Sequence, residues 1–229
     1  MKIVNPNQYH FALPSLVSCY NRAMKLFLLL LIVSCANTKK VETALSLDIT
    51  ETVSNTATRE TRLEILHLAR KYDLSSFLYT KKMVIDPRLE KTRWRPVITL
   101  NTRYKDHPQR LLAQLLHEEL HWWMRDNRQK VQVAIPELKA AFKGAPVIKG
   151  SKDGDATYRH LLICWMEFRA VSKYLGEETA KGVLSHFVAE RRFPWIYGKI
   201  LKDHKRIEKI VRKYEFIPDE LYPKINLMR

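Results

Sequence analysis

The 229-residue sequence predicts an α+β domain, mainly helical, with a small antiparallel sheet ahead of its central helix. Two observations carry that expectation. Apolar residues recur at helical spacing through three long stretches, 108–124, 157–175 and 194–214. Two short β-rich runs, 82–86 and 97–101, lie just before the first of them, and Pro87 stops the earlier run. A third observation narrows the class: the chain carries no internal repeat, phosphate loop or glycine-rich dinucleotide fingerprint.

In chain order, the first 23 residues suit no targeting role. Met24 and Lys25 then lead into Leu26-Phe27-Leu28-Leu29-Leu30-Leu31-Ile32-Val33, followed by Ser34 and Cys35. A basic residue, a short apolar run and a small residue make a secretory signal, and the run is too short to span a bilayer comfortably. Ile32-Val33-Ser34-Cys35 resembles the bacterial lipobox, which implies translation from Met24, cleavage after Ser34 and a lipid on Cys35. An ordinary signal peptide or an uncleaved anchor is the other reading. Ala36 does not resemble the aspartate that retains such proteins at the inner membrane, so the resemblance implies an exported protein anchored to the outer membrane. Residues 36–56 are polar and Thr-rich and read as a flexible tether, which leaves 57–229 as one domain. With Cys19 in the leader and Cys35 lipidated, Cys164 stands alone and no intramolecular disulfide is expected. A mature chain of about 190 residues is long enough to rely on one core.

Inside the domain, a helix is expected over 58–72 with Leu63, Leu66 and Ala69 inward, followed by the two strands. Asp106 reads as the N-cap of the next helix and Pro108 falls in its first turn, where a missing N–H costs nothing. Leu111, Leu112, Leu115, Leu116, Leu120, Trp122 and Trp123 then fill about half of the helical wheel. Arg110, Gln114, His117 and His121 occupy the opposite sector, with Glu118 at its border. The pattern predicts a buried helix whose polar strip faces a cleft. Glu119 falls within the apolar half and calls for an Arg or Lys, or for a hydrogen bond to a ligand histidine. Helices over 136–142, 157–175 (closed by Gly176), 176–189 and 194–214 complete the expected fold, with an ordinary connection over 144–155.

His117-Glu118-Glu119-Leu120-His121 reads H-E-x-x-H. Residues i and i+4 share a helix face, so both imidazoles can grip one metal ion while Glu118 acts on water beside it. The motif, with the strand-forming Val97-Ile98-Thr99-Leu100-Asn101 just before it, resembles the zincin metallopeptidases over roughly 83–174. That resemblance implies a zinc-dependent peptidase, a strand lining the cleft that pairs with an extended peptide, and Glu118 as general base. The metzincin extension is absent, because Met124 and Asn127 stand where its glycine and third histidine would be. Glu167, in Ile163-Cys164-Trp165-Met166-Glu167-Phe168, resembles the third ligand of the gluzincin branch, although Val171 replaces the aspartate often seen four residues on. The expected metal set is therefore His117, His121 and Glu167 holding Zn2+, with His160 as the alternative ligand and a buried ion pair with Arg169 as the structural reading of Glu167. Candidates for stabilising the oxyanion are Tyr197, then His160, then Tyr174. A non-enzymatic lipoprotein with a structural or buffering zinc is the competing reading, and an amidohydrolase acting on cell-wall peptides a third.

The formal charge is +16, of which Lys2, Arg22 and Lys25 precede Cys35 with no acid among them, leaving +13 for the remainder. Much of it lies on the last helix, where Lys199, Lys202, Lys205, Arg206, Lys209, Arg212 and Lys213 interleave with Ile200, Ile207, Ile210 and Val211. Such residues opposite an apolar stripe usually form a solvated face, so no nucleic-acid partner is expected; anionic lipid or cell-wall polymer fits an exported protein better. The lipobox reading makes a direct prediction: labelled palmitate enters the protein in bacterial cells, and a Cys35→Ser variant fails to incorporate it.

Overall fold

The computed structural model describes residues 47–148, 154–215, 218 and 221, all within a unit running from Leu45 to Arg229. The leader, the lipobox and most of the expected tether lie outside them. Among the described residues the fold is mainly helical with one three-stranded sheet: β1 (Asp48–Glu51), α1 (Thr56–Lys71), a 3₁₀ turn (Leu74–Phe77), β2 (Lys82–Ile85), β3 (Ile98–Leu100), α2 (Pro108–Asp126), α3 (Arg128–Ala141), α4 (Ala156–Leu175), α5 (Glu177–Ala189) and α6 (Pro194–Lys213). No helix among these residues is long and apolar enough to cross a membrane.

The sheet corrects two expectations. Its strands run in the order β1-β2-β3 and every pairing is parallel, with Ile49 opposite Met83 and Ile85 opposite Leu100. The antiparallel sheet was expected because β2 and β3 are near neighbours in sequence. Instead the chain between them travels back the full length of the strands before β3 begins, as a parallel connection must. β1 comes from a stretch read as tether. Its single buried apolar residue, Ile49, leaves too little alternation for a strand to be read from Asp48-Ile49-Thr50-Glu51.

Helix α1 is closed at its start by a reciprocal cap: Thr58 N–H donates to Asn55 Oδ1 at 2.9 Å, and Asn55 N–H donates to Thr58 Oγ1 at 3.0 Å. Its inner face is Thr58, Thr61, Ile65, Leu68 and Ala69. Leu63, expected inward, is 66% exposed, because the i, i+4, i+7 row of Thr61, Ile65 and Leu68 takes the core side.

Helix α2 begins at Pro108, with His107 rather than Asp106 at the N-cap and no side-chain cap. Asp106 is instead held by the Lys105 ammonium at 2.8 Å. The leucine stripe is fully buried as expected, but so are Gln114, His117, Glu118 and Glu119. The middle of α2 is therefore enclosed on every side, while Trp122 and Trp123 at its end are half-buried against the core. Among the described residues no Arg or Lys is in hydrogen-bond contact with Glu119. Its Oε2 accepts the backbone N–H groups of Tyr79 and Thr80 at 2.8 and 3.1 Å, just past the 3₁₀ turn.

Asn127 both ends α2 and precedes α3, its side chain donating to Trp123 O at 3.0 Å. Helix α3 starts earlier than expected and carries Pro136 inside. Gly176 closes α4 at φ 85°, its N–H bonded to Ser172 O, as the sequence predicts. Helix α6 kinks at Asp203, and Trp165 Nε1 on α4 donates to His204 O at 3.0 Å beside the break. Helix α4 packs on both α2 and α6, gathering the three around one centre.

Removing the Glu119 carboxylate leaves the half-buried amides of Tyr79 and Thr80 without their acceptor and leaves a void. Glu119→Ala is expected to lower unfolding free energy by about 2–4 kcal/mol in urea titration, and Glu119→Gln, whose carbonyl still accepts both bonds, by less than half of that.

Candidate metal centre

Each element contributes side chains by its own periodicity. Helix α2 supplies His117, Glu118 and His121. Helix α4 supplies His160, Cys164 and Glu167 along one face at i, i+4 and i+7. The turn before α6 supplies Arg192 and Phe193, and the first turn of α6 supplies Tyr197. The loop between β2 and β3 supplies Thr92 and Trp94.

Two overlapping groups of donor atoms converge, with the atoms of each within 4.8 Å of one another: His117, His121 and His160, and His117, Cys164 and Glu167. The expected trio of His117, His121 and Glu167 does not itself form such a group among the described residues. His117 lies between the two. Its Nδ1 is 2.8 Å from Glu167 Oε2, which also accepts the Tyr197 hydroxyl at 2.9 Å. A carboxylate at Nδ1 draws the proton to that nitrogen and leaves Nε2 with its lone pair. The Cys164 thiol is 3.9 Å from the same Nδ1 and is buried and free.

The three imidazole rings sit 5.0 Å (His117–His121), 5.2 Å (His121–His160) and 6.1 Å (His117–His160) apart, centre to centre. All three are held neutral. Burial pushes His117 well below its ordinary pKa, with the Arg192 and His160 charges adding to the effect. Burial does the same to His121, helped by His117, His160, Arg192 and Arg95. His160 is lowered mainly by burial, against a bond from its Nδ1 side to Ala156 O. Neutral imidazole is the form that ligates a metal.

Two carboxylates move the other way. Burial raises Glu118 to about 7, opposed by the Thr92 hydroxyl, which donates to its Oε1 at 2.5 Å, and by Arg192. Burial raises Glu167 to about 7, opposed by Arg192 and Tyr197. Cys164 is pushed well up by burial and by the Glu167 charge, so it stays a thiol.

Arg192, Thr92 and Trp94 were not legible as site residues. Arg192 acts electrostatically on His117, Glu118, His121, His160 and Glu167 alike. Burial works to neutralise it, but the acidic groups of Tyr197, Glu167, Glu118 and Cys164 more than offset that, and its pKa rises. Its position depends on a tight turn in which Arg191 and Phe193 both take left-handed φ, 58° and 44°. Each such non-glycine residue costs on the order of 1 kcal/mol. In return, the Phe193 ring stacks on His117 at 6.2 Å and packs on His160 at 5.0 Å. Trp94 lies flat on His121, 5.4 Å away at 3°. No spacing in Arg191-Arg192-Phe193 or Thr92-Arg93-Trp94 announces these roles, because only the fold brings them to α2.

Of the oxyanion candidates, Tyr197 is fully buried with its hydroxyl committed to Glu167. Tyr174 packs against Tyr72 and Phe77 at 5.6 and 6.0 Å, in the neighbourhood of α1 and the 3₁₀ turn. His160 stands within the three-histidine group. Comparison with protein-family models, with curated proteins and with solved structures finds no match to this chain, so a functional reading rests on this geometry.

Proposed function

We propose that the chain is a zinc-dependent hydrolase of peptide bonds, with His117, His121 and His160 as the metal ligands and Glu118 as the general base. One observation carries the reading: His117, His121 and His160 bring donor atoms within 4.8 Å of one another on either side of the helix position that carries the buried carboxylate Glu118. Three nitrogen donors suit zinc and leave a position open for water or substrate. An ion there would polarise the scissile carbonyl and make water nucleophilic near neutral pH.

The protein's own groups have separable parts in this scheme. Glu118 takes the proton of the attacking water and passes it to the leaving nitrogen, and a pKa near 7 serves both transfers. Glu167 holds His117 in the tautomer that frees Nε2, so it orients a ligand rather than being the third ligand, and Tyr197 locks Glu167 in place. Arg192, the cation that acts on Glu118 and Glu167, would offset the negative charge developing on the carbonyl oxygen, a part the sequence offers to Tyr197 or His160. Export and a lipid anchor on Cys35 belong to the same reading and rest on residues 24–35, with a peptide or protein segment as the partner.

A non-enzymatic lipoprotein with a structural or buffering zinc has its own support. His117 is 2% exposed and Glu118 3%, as expected of a closed metal site.

Metal content and peptide-library cleavage by the full chain separate the two. One zinc per chain is expected in the parent, in Glu118→Gln and in Glu167→Ala, the last with affinity about 10–100-fold weaker. His160→Ala is expected to lose it. Zinc retained by His160→Ala but lost from Glu167→Ala would return the third ligand to Glu167. Cleavage by the parent, reduced about 10²–10⁴-fold in Glu118→Gln, supports the hydrolase. Zinc without cleavage in either supports the structural site.

A further inference from the structure

We propose that residues 91–95 form a pseudosubstrate strap: they occupy the strand position of an extended peptide beside β3, and Trp94 marks a subsite for an aromatic side chain over His121. The substrate side of this inference rests on the hydrolase reading, whereas the strap itself rests on geometry alone.

One edge of β3 is paired with β2. The other is taken by the chain itself. Arg93 N–H donates to Thr99 O at 3.1 Å and Thr99 N–H donates to Arg93 O at 2.7 Å, the reciprocal pair of an antiparallel strand. The strap also alternates as a strand does. Lys91, Arg93 and Arg95 are exposed, while Thr92 and Trp94 are half-buried and turned toward α2. A peptide laid on a sheet edge offers the same pattern, with backbone bonds holding it and every second side chain entering a pocket.

Both inward side chains touch the candidate site. The Thr92 hydroxyl donates to Glu118 Oε1, occupying the base where a hydrolytic water would have to be. Trp94 stacks on His121 and meets Trp122 edge-on at 5.6 Å and 85°. The floor for the indole is thus built from α2, and the Arg95 guanidinium covers its outer face at 4.8 Å. Upstream the strap is tethered, since Asn101 Nδ2 donates to Leu89 O and Glu90 O, each at 3.2 Å. Beyond Glu90, Arg93 is the strap residue bonded to the sheet through its backbone. The segment is joined to β3 through Pro96 and Val97, so it opens as a loop between Glu90 and Val97 by giving up the Arg93–Thr99 backbone pair, the Arg93 Nε bond to Thr99 Oγ1, the Thr92 bond and the indole contacts with His121 and Trp122. Substrates that displace it are extended peptides with an aromatic residue in the place of Trp94.

The test uses full-chain Trp94→Ala and Thr92→Val, the latter keeping side-chain volume while removing the bond to Glu118. A synthetic peptide spanning 90–96 is titrated into each variant by calorimetry, with and without zinc, and the rate of zinc removal by a chelator is followed in parallel. The expected results are peptide binding at least tenfold tighter to the variants than to the parent, and zinc removal at least tenfold faster, slowed again by the peptide. A peptide with alanine in place of the tryptophan should bind neither variant. Variants that match the parent in peptide binding would overturn the strap, whether or not metal is present. Absence of zinc from the parent would overturn the metal reading, while peptide binding still decides the strap.

Discussion

The fold is organised around the requirement that the centre of α2 bury Gln114, His117, Glu118 and Glu119 together, each with at least one hydrogen-bond partner although Gln114 Oε1 and Glu119 Oε1 are left unbonded. An unmet buried polar group costs about 1–3 kcal/mol, more when it is charged. Each therefore draws in a different part of the chain. Glu119 is met by the amides of Tyr79 and Thr80, which fixes the approach to β2. Glu118 is met by Thr92, which draws the β2–β3 loop across the helix. His117 is met by Glu167, and Glu167 by Tyr197, which ties α4 and α6 to α2. Gln114 Nε2 lies 3.5 Å from Asn101 Oδ1, at the end of β3. A helix with an apolar middle would need only shape-matched neighbours; this one needs specific ones.

That requirement explains what could be read from the sequence. The helices were legible because their apolar residues recur at a fixed period, and Gly176 and Pro194 mark where elements stop and start. His117, Glu118 and His121 were legible because their relation is local, set by 3.6 residues per turn. His160 and Glu167 were visible as anomalies on an apolar helix, yet which of them meets His117 Nδ1 (Glu167, at 2.8 Å) could not be read from spacing. That is a property of how α2 packs on α4. Strand direction was illegible for a similar reason. The interval between β2 and β3 suits a hairpin as well as a return loop, and in the fold it returns along the strands and crosses α2, where Thr92 bonds to Glu118. Arg192 reaches the centre through two left-handed residues that no propensity favours, so position in the chain gave no sign of it.

The charge balance at the centre gives a second physical view of the same residues. Three imidazoles are held neutral, and burial brings Glu118 and Glu167 to about 7, where ionised and protonated forms are comparably populated. Arg192 is the cation that acts on both carboxylates, and one guanidinium is too little to ionise them fully against that burial. A divalent ion among the imidazoles would change the balance, because two carboxylates would then face three positive charges within one low-dielectric enclosure. Glu118 would become a ready base and Glu167 a firmer acceptor for His117 Nδ1. Under the proposed reading, a cation among the imidazoles would supply the charge that these carboxylates lack. Burying Glu118, Glu167 and His117, with His121, His160 and Arg192 half-buried beside them, carries a cost that a leucine core of the same volume would not. This asymmetry favours a chemical role for the centre over a packing one, and it places the weight of that role on His117, which alone belongs to both groups of donors.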